Sequence, residues 1–403
     1  MPSTGQVTTV NRLLDEIADV GRADDTGGYR RFAWTADDAS LREWFVGAVE
    51  SLGLDVTEDR VGNQWAWWGD PDAAVTRGDP GVVTGSHLDS VPDGGNYDGP
   101  LGVASSLAAV GVLQAEGFVP RRPIGIVNFV DEEGARFGVA CSGSRVLTGV
   151  LTADQALGLE DADGVSMADA LRAAGRTPEH VGRDDETLVR IGTFVELHVE
   201  QGRELAGTKH AVAVGSSIWP HGRWRFDFEG EANHAGTTRL VDRDDPMLEL
   251  AALITSAREV AADLGCVATV GKVRVLPNGV NAIPSQVTGW LDARGADEDA
   301  VRQIVPLLEA RLQATATEES WTGDTAFDGQ LAQSLATLLG DVPIMGTGAG
   351  HDAGVLASHG VRAAMLFVRN PTGVSHSPAE HADDADCEAG VTALTTVLRR
   401  LAG

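Results

Sequence analysis

The sequence predicts an α/β protein with one main domain built on a mostly parallel sheet and one smaller inserted domain. In the first half of the chain, short apolar runs with strand character alternate with helical patterns, as is typical of a parallel sheet covered on both faces. Between about 210 and 324 the order of elements changes to β-α-β-β-α-β, and the first rhythm then returns. We therefore expect a discontinuous main domain, 1–209 with 325–403, and an inserted domain at 210–324.

The elements of the main domain follow from periodicity and from start and stop signals. In chain order they are a helix near Val7–Val20, a helix from Ser40 to Gly53, a strand within Gly62–Gly69, a strand at Gly81–Thr84, a helix from Pro100 to Gly117, and strands at Ile124–Val130 and Thr193–Val199. Ser40 is a plausible helix N-cap and Gly53 a plausible stop. Proline suits the first helical position and glycine the exit, which favours the helix from Pro100 to Gly117.

The inserted domain is predicted from a strand with strict alternation, in which Trp224, Phe226 and Phe228 share one side. Its elements are a strand at Arg223–Glu229, a helix at Pro246–Leu264, strands at Val267–Val275 and Val287–Ala293, a helical pattern over Asp297–Glu319 and a strand near Trp321–Phe327. The main domain then resumes with strands at Val342–Met345 and Ala363–Val368 and a helix at Asp386–Leu401.

Composition excludes several classes of function. A formal charge of −28 argues against partners such as nucleic acid and anionic membranes, which need basic surfaces, and favours a solvated acidic surface. The three cysteines are far apart with no C-x-x-C pair, which fits a reducing cytosol. Met1–Val20 lacks the pattern of a signal peptide, and no apolar stretch approaches ~18 residues. We expect a cytoplasmic protein.

Side chains that commonly bind metals are scattered over almost 300 positions, each where an apolar run gives way to Gly, Asp or Ser. They are His87, Asp98, Glu132, Glu133, His198 and His376. Such spacing excludes a local zinc finger. The carboxyl ends of strands in an open α/β sheet form the usual ligand site, so we expect these donors to meet there and hold a pair of divalent ions, as in a co-catalytic hydrolase.

Each of these residues also has a structural interpretation. Asp89 is a candidate to accept the second imidazole N–H of His87, but Asp89 and Asp98 would equally suit a turn cap and a helix cap. A histidine on a strand, such as His198, is more often a satisfied core residue. The adjacent carboxylates Glu132 and Glu133 are costly after a buried strand unless cations compensate them, and the pair could then divide into a ligand and a proton carrier.

The glycine-rich loop Gly346–Ala353 allows two interpretations. Gly348, Gly350 and Ala353 satisfy a G-x-G-x-x-A dinucleotide pattern, but no acidic residue follows at the end of a next strand. We favour a tight loop that presents His351 and Asp352 near the metal site.

Six segments together resemble the hydantoinase/carbamoylase branch of the M20 metallopeptidase-like amidohydrolases, a group that hydrolyses ureido compounds such as allantoate, N-carbamoyl-L-amino acids and ureidopropionate. In order they are GSHLDSVPDGGNYDGPLGV, DEEGARFG, ELHVEQG, EANHAGTT, PNGVNAIP and GVSHSPAE. The similarity runs from about Gly28 to the end of the chain. It implies a di-metal catalytic domain and a ferredoxin-like lid and dimerisation domain.

The resemblance also implies roles for individual residues. His87 and His198 would bind one metal, Glu133 and His376 the other, with Asp98 bridging, and Glu132 would be the general base. His234 would stabilise the oxyanion from across a dimer interface, and Gln201, Asn281 and Arg294 would hold the substrate carboxylate. Gly295 departs from the family, where a bulkier residue is common.

The predicted activity is hydrolysis of a ureido C–N bond in a small anionic substrate, with release of ammonia and carbon dioxide. Histidine and carboxylate ligands suit zinc best and also admit manganese, cobalt or nickel. The Asn- and Gly-rich segments lean slightly towards allantoate over an N-carbamoyl-L-amino acid. The alternatives are an aminoacylase or dipeptidase acting on an acyl amide, and a non-catalytic binding protein of the same fold.

Overall fold

The computed structural model describes residues 8–403, so the predicted helix start at Val7 lies outside the described residues. The chain forms two compact units. One comprises the residues up to Ser216 together with Ala326–Gly403, and the other is Ser217–Thr325.

The helices, in chain order, are α1 (Val10–Glu16), α2 (Ala36–Ser51), α3 (Pro71–Thr76), α4 (Pro100–Ala115), α5 (Ser142–Thr148), α6 (Ala153–Leu157), α7 (Met167–Ala173), α8 (Asp185–Arg190), α9 (Met247–Asp263), α10 (Glu298–Leu312), α11 (Gly329–Leu338), α12 (Asp352–Ser358) and α13 (Asp384–Ala402). The strands are β1 (Val56–Glu58), β2 (Gln64–Trp68), β3 (Gly81–His87), β4 (Ile124–Phe129), β5 (Ile191–Val199), β6 (Val212–Ile218), β7 (His221–Glu229), β8 (Asn233–His234), β9 (Val267–Leu276), β10 (Ala282–Ile283), β11 (Gln286–Arg294), β12 (Ala316–Thr322), β13 (Thr325–Ala326), β14 (Ile344–Thr347) and β15 (Arg362–Val368).

The first unit is built on a mixed sheet with the strand order β1-β2-β4-β3-β5-β15-β6-β13. Its four central strands, β4, β3, β5 and β15, are mutually parallel. The flanking pairs β2–β4 and β15–β6 are antiparallel. The predicted parallel sheet is therefore present at the centre of this unit, and its edges are antiparallel.

Both faces of the central strands are covered. Leu197 and Val368 lie in the large apolar cluster that α1, α4 and α13 form on one face. Because successive side chains of a strand point to opposite faces, His198 and Phe367 point to the other side. There the ring of His351, at the start of α12, lies 4.5 Å from the His198 ring and 6.4 Å from the Phe367 ring. This second face is where the polar site forms.

The second unit contains β7, α9, β9, β11, α10 and β12 in that order, a β-α-β-β-α-β arrangement. The four strands form an antiparallel sheet with the order β12-β7-β11-β9. Trp224, Phe226 and Phe228 alternate along β7 and lie in one apolar cluster with the buried sides of α9 and α10. The same unit also contains a two-stranded ribbon, β8 with β10.

Several predicted boundaries are wrong, and the first helix, for example, ends at Glu16 rather than at Val20. The N-cap of α2 is Thr35, whose hydroxyl accepts the Asp38 N–H, and Ser40 lies inside the helix. The helical pattern predicted up to Glu319 ends at Leu312, because Gln313 takes a left-handed conformation with φ 54°. The following strand is β12, earlier than the predicted Trp321–Phe327. Helices α3, α5 to α8 and α11 and strands β1, β6, β8 and β10 had no predicted counterpart. Within the described residues, no helix combines the length and apolarity needed to cross a membrane.

Candidate metal centre and active site

Two buried imidazoles stand at the carboxyl ends of adjacent parallel strands. His87 is the last residue of β3, and His198 is the penultimate residue of β5. The Nδ1 atom of His87 lies 3.1 Å from the Asp89 carbonyl oxygen, and that of His198 lies 2.9 Å from the Val199 carbonyl oxygen. A carbonyl accepts only from a protonated ring nitrogen, so both contacts favour the tautomer with an unprotonated Nε2. Nε2 is thus available as a metal ligand in both rings.

Asp98 brings these imidazoles together with a second group of donors. Its Oδ1 atom lies 3.1 Å from Nε2 of His198 and 3.7 Å from Nε2 of His87, and its Oδ2 atom lies 3.4 Å from Nε2 of His376. Asp98 does not cap α4, because the N-cap is Gly99 and it makes no side-chain cap bond. Gly99 has φ 88°, and a Cβ atom there would collide with the His87 ring. A side chain at this position would therefore displace the first imidazole.

The donors form two triads that share Asp98. In one, ligand atoms of His87, Asp98 and His198 all lie within 4.8 Å of one another, and in the other the same holds for Asp98, Glu133 and His376. Glu133 and His376 are 3.8 Å apart at Oε2 and Nε2. His376 takes a left-handed conformation with φ 54°, and half of its side chain is exposed. The first triad is buried, whereas the second opens to the surface of its unit.

The atoms of these triads fit a bound cation. Within the described chain, His87 Nε2, His198 Nε2 and Glu133 Oε1 are buried without a hydrogen-bond partner. An unsatisfied buried polar atom is costly, and a cation in each triad would satisfy these three. Imidazole and carboxylate are also the donors that zinc and similar divalent metals prefer.

The pKa shifts of Asp98, Glu133 and His376 also fit a site for cations. Burial opposes ionisation of Asp98, but the imidazoles of His198, His376 and His87 outweigh it and hold the pKa of Asp98 well below its usual range. Burial, reinforced by the Asp98 charge, raises the pKa of Glu133 to about 7. The Asp98 contact raises the pKa of His376 to about 9, against the effect of burial. The metal-free site thus keeps protons in places that metal ions would take.

Glu132 lies beside the triads and belongs to neither. Its Oε2 atom is 3.7 Å from Nε2 of His87, and its Oε1 atom accepts a hydrogen bond from the Cys141 thiol at 3.2 Å. Burial raises its pKa well above the usual range for a glutamate. A buried carboxylate with a raised pKa next to a metal site has the properties of a general acid–base.

Asp89 fixes the main chain that carries the two adjacent glutamates. Its Oδ1 and Oδ2 atoms accept the backbone N–H groups of Glu132 and Glu133 at 3.1 and 3.0 Å. The Asp89 carboxylate lies 3.4 Å from Nδ1 of His87, farther than the Asp89 carbonyl oxygen, which is 3.1 Å from the same atom. The expected carboxylate–imidazole bond is therefore secondary to the contact with the glutamate backbone.

Glu380 joins the two loops that carry Asp98 and His376, a role that the sequence did not reveal. Its Oε1 atom accepts the backbone N–H groups of Tyr97 and Asp98 at 2.8 and 3.0 Å, and its Oε2 atom accepts the Ser375 hydroxyl at 3.3 Å. The residue is buried. Its place in the Ser375–Glu380 segment was visible, but nothing in the sequence indicated which backbone it would bind.

His351 packs against His198, with ring centroids 4.5 Å apart, and the buried Asp352 next to it accepts a hydrogen bond from the Ser144 hydroxyl. The dinucleotide interpretation fails, because β14 pairs with β6 and lies off the main strand path. Glu196, which sequence reasoning missed, forms a further group with His198 and His351 within 4.8 Å. Its carboxylate accepts the Ser86 hydroxyl at 2.8 Å and the Ala353 N–H at 3.0 Å. A glutamate two residues before His198 in an apolar strand was the available signal.

Gln201 lies at the edge of the triads. Its amide nitrogen donates to Asp98 Oδ2 at 2.8 Å and lies 3.3 Å from Nε2 of His376. In this conformation Gln201 orients the shared carboxylate.

The remaining predicted site residues belong to the second unit. His234 in β8 is exposed and pairs with Ala282 of β10, next to Asn281, whose carbonyl accepts the Ala235 N–H at 3.0 Å. Gly236 N–H donates to His234 Nδ1 at 3.0 Å, so a neutral His234 carries its proton on Nε2.

Arg294 ends β11 and makes a two-point ion pair with Asp292, with distances of 2.6 and 3.0 Å. Within this unit, the Arg294 guanidinium is therefore engaged by a carboxylate of the same strand. A Cβ atom at Gly295 would lie 2.6 Å from the Cys266 sulfur. Cys266 thus accounts for the absence of a larger residue there.

Comparison with known proteins shows where this chain belongs. The model of the Peptidase family M20/M25/M40 matches residues 83–400. The chain is 35% identical to an N-carbamoyl-L-amino acid amidohydrolase of Geobacillus stearothermophilus, covering 96% of this chain and 97% of that protein. It is 30% identical to an allantoate amidohydrolase of Escherichia coli (strain K12), covering 94% of each. A crystal structure of an amidase of the hydantoinase/carbamoylase family from Burkholderia vietnamiensis matches with a TM-score of 0.83 and 29% identity over 99% of each chain.

Proposed function

The chain belongs to the peptidase M20/M25/M40 family and is a hydrolase, and we propose that it cleaves the ureido C–N bond of a small carboxylate-bearing substrate. The substrate class comprises N-carbamoyl-L-amino acids and allantoate, and the products are ammonia, carbon dioxide and the amino compound. The similarity to amidohydrolases of both kinds supports this class.

One observation carries the proposal: two donor triads share Asp98, and Glu132 lies next to them without belonging to either. His87 and His198 would hold one divalent ion and Glu133 and His376 a second, with Asp98 common to both. The buried unpartnered atoms of these side chains fit two ions better than one, because they occur in both triads. Zinc is the first candidate, and manganese, cobalt and nickel suit the same ligands.

The chain's own residues account for the proton transfers. Bound divalent ions lower the pKa of a water molecule and polarise a carbonyl oxygen. Glu132 accepts the proton from the attacking water and passes it to the departing nitrogen, as its raised pKa allows. Its adjacency to Glu133, with both backbone amides held by Asp89, fixes the base relative to a metal ligand.

Recognition of the substrate is assigned to the second unit and to Gln201. Arg294 already binds one carboxylate, that of Asp292, in a two-point geometry, and a substrate carboxylate would suit the same guanidinium. Asn281 offers an exposed amide, and His234 offers an Nε2 proton for the developing oxyanion.

The substrate assay tests the proposal directly. Enzyme reconstituted with each metal is supplied with allantoate, N-carbamoyl-L-amino acids and ureidopropionate, and in parallel with N-acetyl amino acids and dipeptides. We expect ammonia from at least one ureido compound and turnover at least tenfold lower with the acyl amides. Turnover of acyl amides alone would replace the proposal with an aminoacylase or dipeptidase.

We also propose that two copies of the chain pair through the second unit. Strand β9 stands at the edge of its sheet and pairs, among the described strands, with β11 alone. It exposes Val267, Val273 and Leu276, and the neighbouring helix α9 exposes Leu248 at 71%. A long apolar edge strand is an aggregation hazard unless another strand covers it, and a second copy provides one.

The molecular mass of the protein in solution tests whether two copies pair. Val273→Glu places a charge on the edge strand and should yield a monomer, whereas the wild type should be a dimer. Val119→Glu is the matched control, since Val119 is 80% exposed on the first unit. A dimer that survives Val273→Glu, or that is lost with Val119→Glu, would contradict this assignment.

A further inference from the structure

A buried thiol touches the carboxylate that we assign as the general base. The Sγ atom of Cys141 donates to Glu132 Oε1 at 3.2 Å, and the two residues are 2% and 5% exposed. In the part of the chain that the structure describes, no other hydrogen-bond donor reaches this carboxylate. The thiol lies at the start of α5, on a segment that sequence reasoning did not associate with the site.

The main chain holds this thiol in place. The backbone N–H of Cys141 donates to the Glu132 carbonyl at 2.5 Å, and the next two N–H groups, of Ser142 and Gly143, donate to Asp131 and Val130 at 3.0 Å each. Three consecutive bonds therefore tie the start of α5 to the segment that carries the base. Gly143 permits this approach, because a Cβ atom there would collide with the Val130 carbonyl.

The protonation of the thiol is consistent with donation. Burial and the charges of Glu132 and Asp352 raise the pKa of Cys141 well above its usual range, so the sulfur keeps its proton at neutral pH. A protonated, buried thiol is a poor nucleophile and a poor metal ligand. Cys141 is also absent from all three donor groups found among the described residues.

We propose that Cys141 is a positioning residue, whose S–H group holds Oε1 of Glu132 so that Oε2 stays directed towards the His87 side of the site. The terminal torsion of a glutamate has broad, poorly defined minima, so a carboxylate without a partner would spend less time in the reactive orientation. The inference rests on the proposed function, in which Glu132 is the base.

Kinetics with three variants test this role. Cys141→Ala should lower kcat about tenfold, the loss of a modest hydrogen bond to a charged group, with KM changed by less than about twofold because ground-state binding is untouched. Cys141→Ser keeps a donor and should recover most of kcat. Cys387→Ala, a change at another buried cysteine in α13, is the matched control and should leave kcat unchanged. All rates are compared at equal metal content.

A spectroscopic measurement on the zinc-loaded protein tests the bond without activity, because neighbouring cations favour the charged form of Glu132 that serves as the acceptor. The infrared S–H stretch lost in Cys141→Ser should lie at lower frequency than that of a non-bonded thiol, and Glu132→Gln, which replaces the charged acceptor with a neutral one, should shift it upward. An unshifted band in Glu132→Gln overturns the proposal, as does wild-type kcat in Cys141→Ala. If the alanine variant does not fold, the infrared result on the wild type and Glu132→Gln decides. Absence of ureido hydrolysis by the wild type would refute the proposed function and leave the hydrogen bond to be judged by its spectrum.

Discussion

The adjacent residues Glu132 and Glu133 offer the sharpest test of the site, because replacing each of them with glutamine should affect metal content and activity differently. Glu133 belongs to a donor triad and Glu132 does not. We expect Glu132→Gln to retain both metal ions and lose kcat by about 10²–10⁴-fold, the usual contribution of a general base. Glu133→Gln should lose one of the two ions, and activity with it.

The expected loss of metal follows from the electrostatics of Glu133. Burial and the Asp98 charge raise its pKa to about 7 from its ordinary value of 4.5, so ionising it in the metal-free site costs on the order of a few kcal/mol more than in water. A divalent ion offsets this cost and gains a charged ligand. A neutral amide contributes no charge, and the ion in its triad would depend on Asp98 and His376 alone.

The assay is elemental analysis of each purified variant after dialysis against a fixed free-metal concentration, followed by kcat on the best ureido substrate. Both variants keep the backbone amides that Asp89 binds, so folding should be preserved. If Glu132→Gln loses an ion while Glu133→Gln keeps two, the assigned roles are exchanged. If Glu132→Gln retains full kcat, Glu132 is not the base.

Three further predictions follow from the same geometry. Asp98→Asn should reduce the content of both ions, whereas His376→Ala should reduce it by one; equal losses would show that Asp98 is not shared. The metal-free protein should become less stable to urea as pH rises from about 5 to 9. The folded protein holds the His376 proton more tightly than the unfolded chain does, because the pKa of His376 is raised to about 9; the resulting stabilisation is fully present below about pH 6.5 and is lost as the pH approaches 9. The raised pKa of Glu133 acts in the same direction, since ionising this buried carboxyl between about pH 4.5 and 7 destabilises the folded state. A flat or rising profile would contradict this. Arg294→Ala should raise KM for carboxylate-bearing ureido substrates roughly tenfold to hundredfold and leave an uncharged ureido analogue unaffected, with Arg225→Ala as the control, since Arg225 lies on the same sheet and pairs with Asp227 and Glu319.

The convergence of the metal donors was predictable because it depends on a general property of parallel sheets. His87 and His198 follow apolar runs that form neighbouring parallel strands, and the ends of such strands meet. The β-α-β-β-α-β order of the second unit was visible in its alternation and helical periodicity. The assignment of ligand, base and substrate-binding roles came from the family resemblance, and those roles stay predictions.

Other parts of the site depend on backbone geometry that no pattern of residue types reveals. Cys141 reaches Glu132 because its own left-handed conformation and three main-chain bonds bring α5 against the end of β4. The contact of Asp89 with the glutamate backbone likewise depends on a loop path. The helix predicted up to Glu319 extended too far, since the charged, polar stretch after Leu312 satisfies helical spacing and also forms an exposed edge strand.

The unequal exposure of the two triads has a consequence for how the protein acquires and loses its ions. His87 and His198 are closed off within their unit, but His376 presents half of its side chain to solvent. A chelator would therefore reach the Glu133–His376 position first, and the inner position would empty only afterwards. Partial stripping and refilling with a different metal should then yield a defined hybrid centre with one original and one foreign ion.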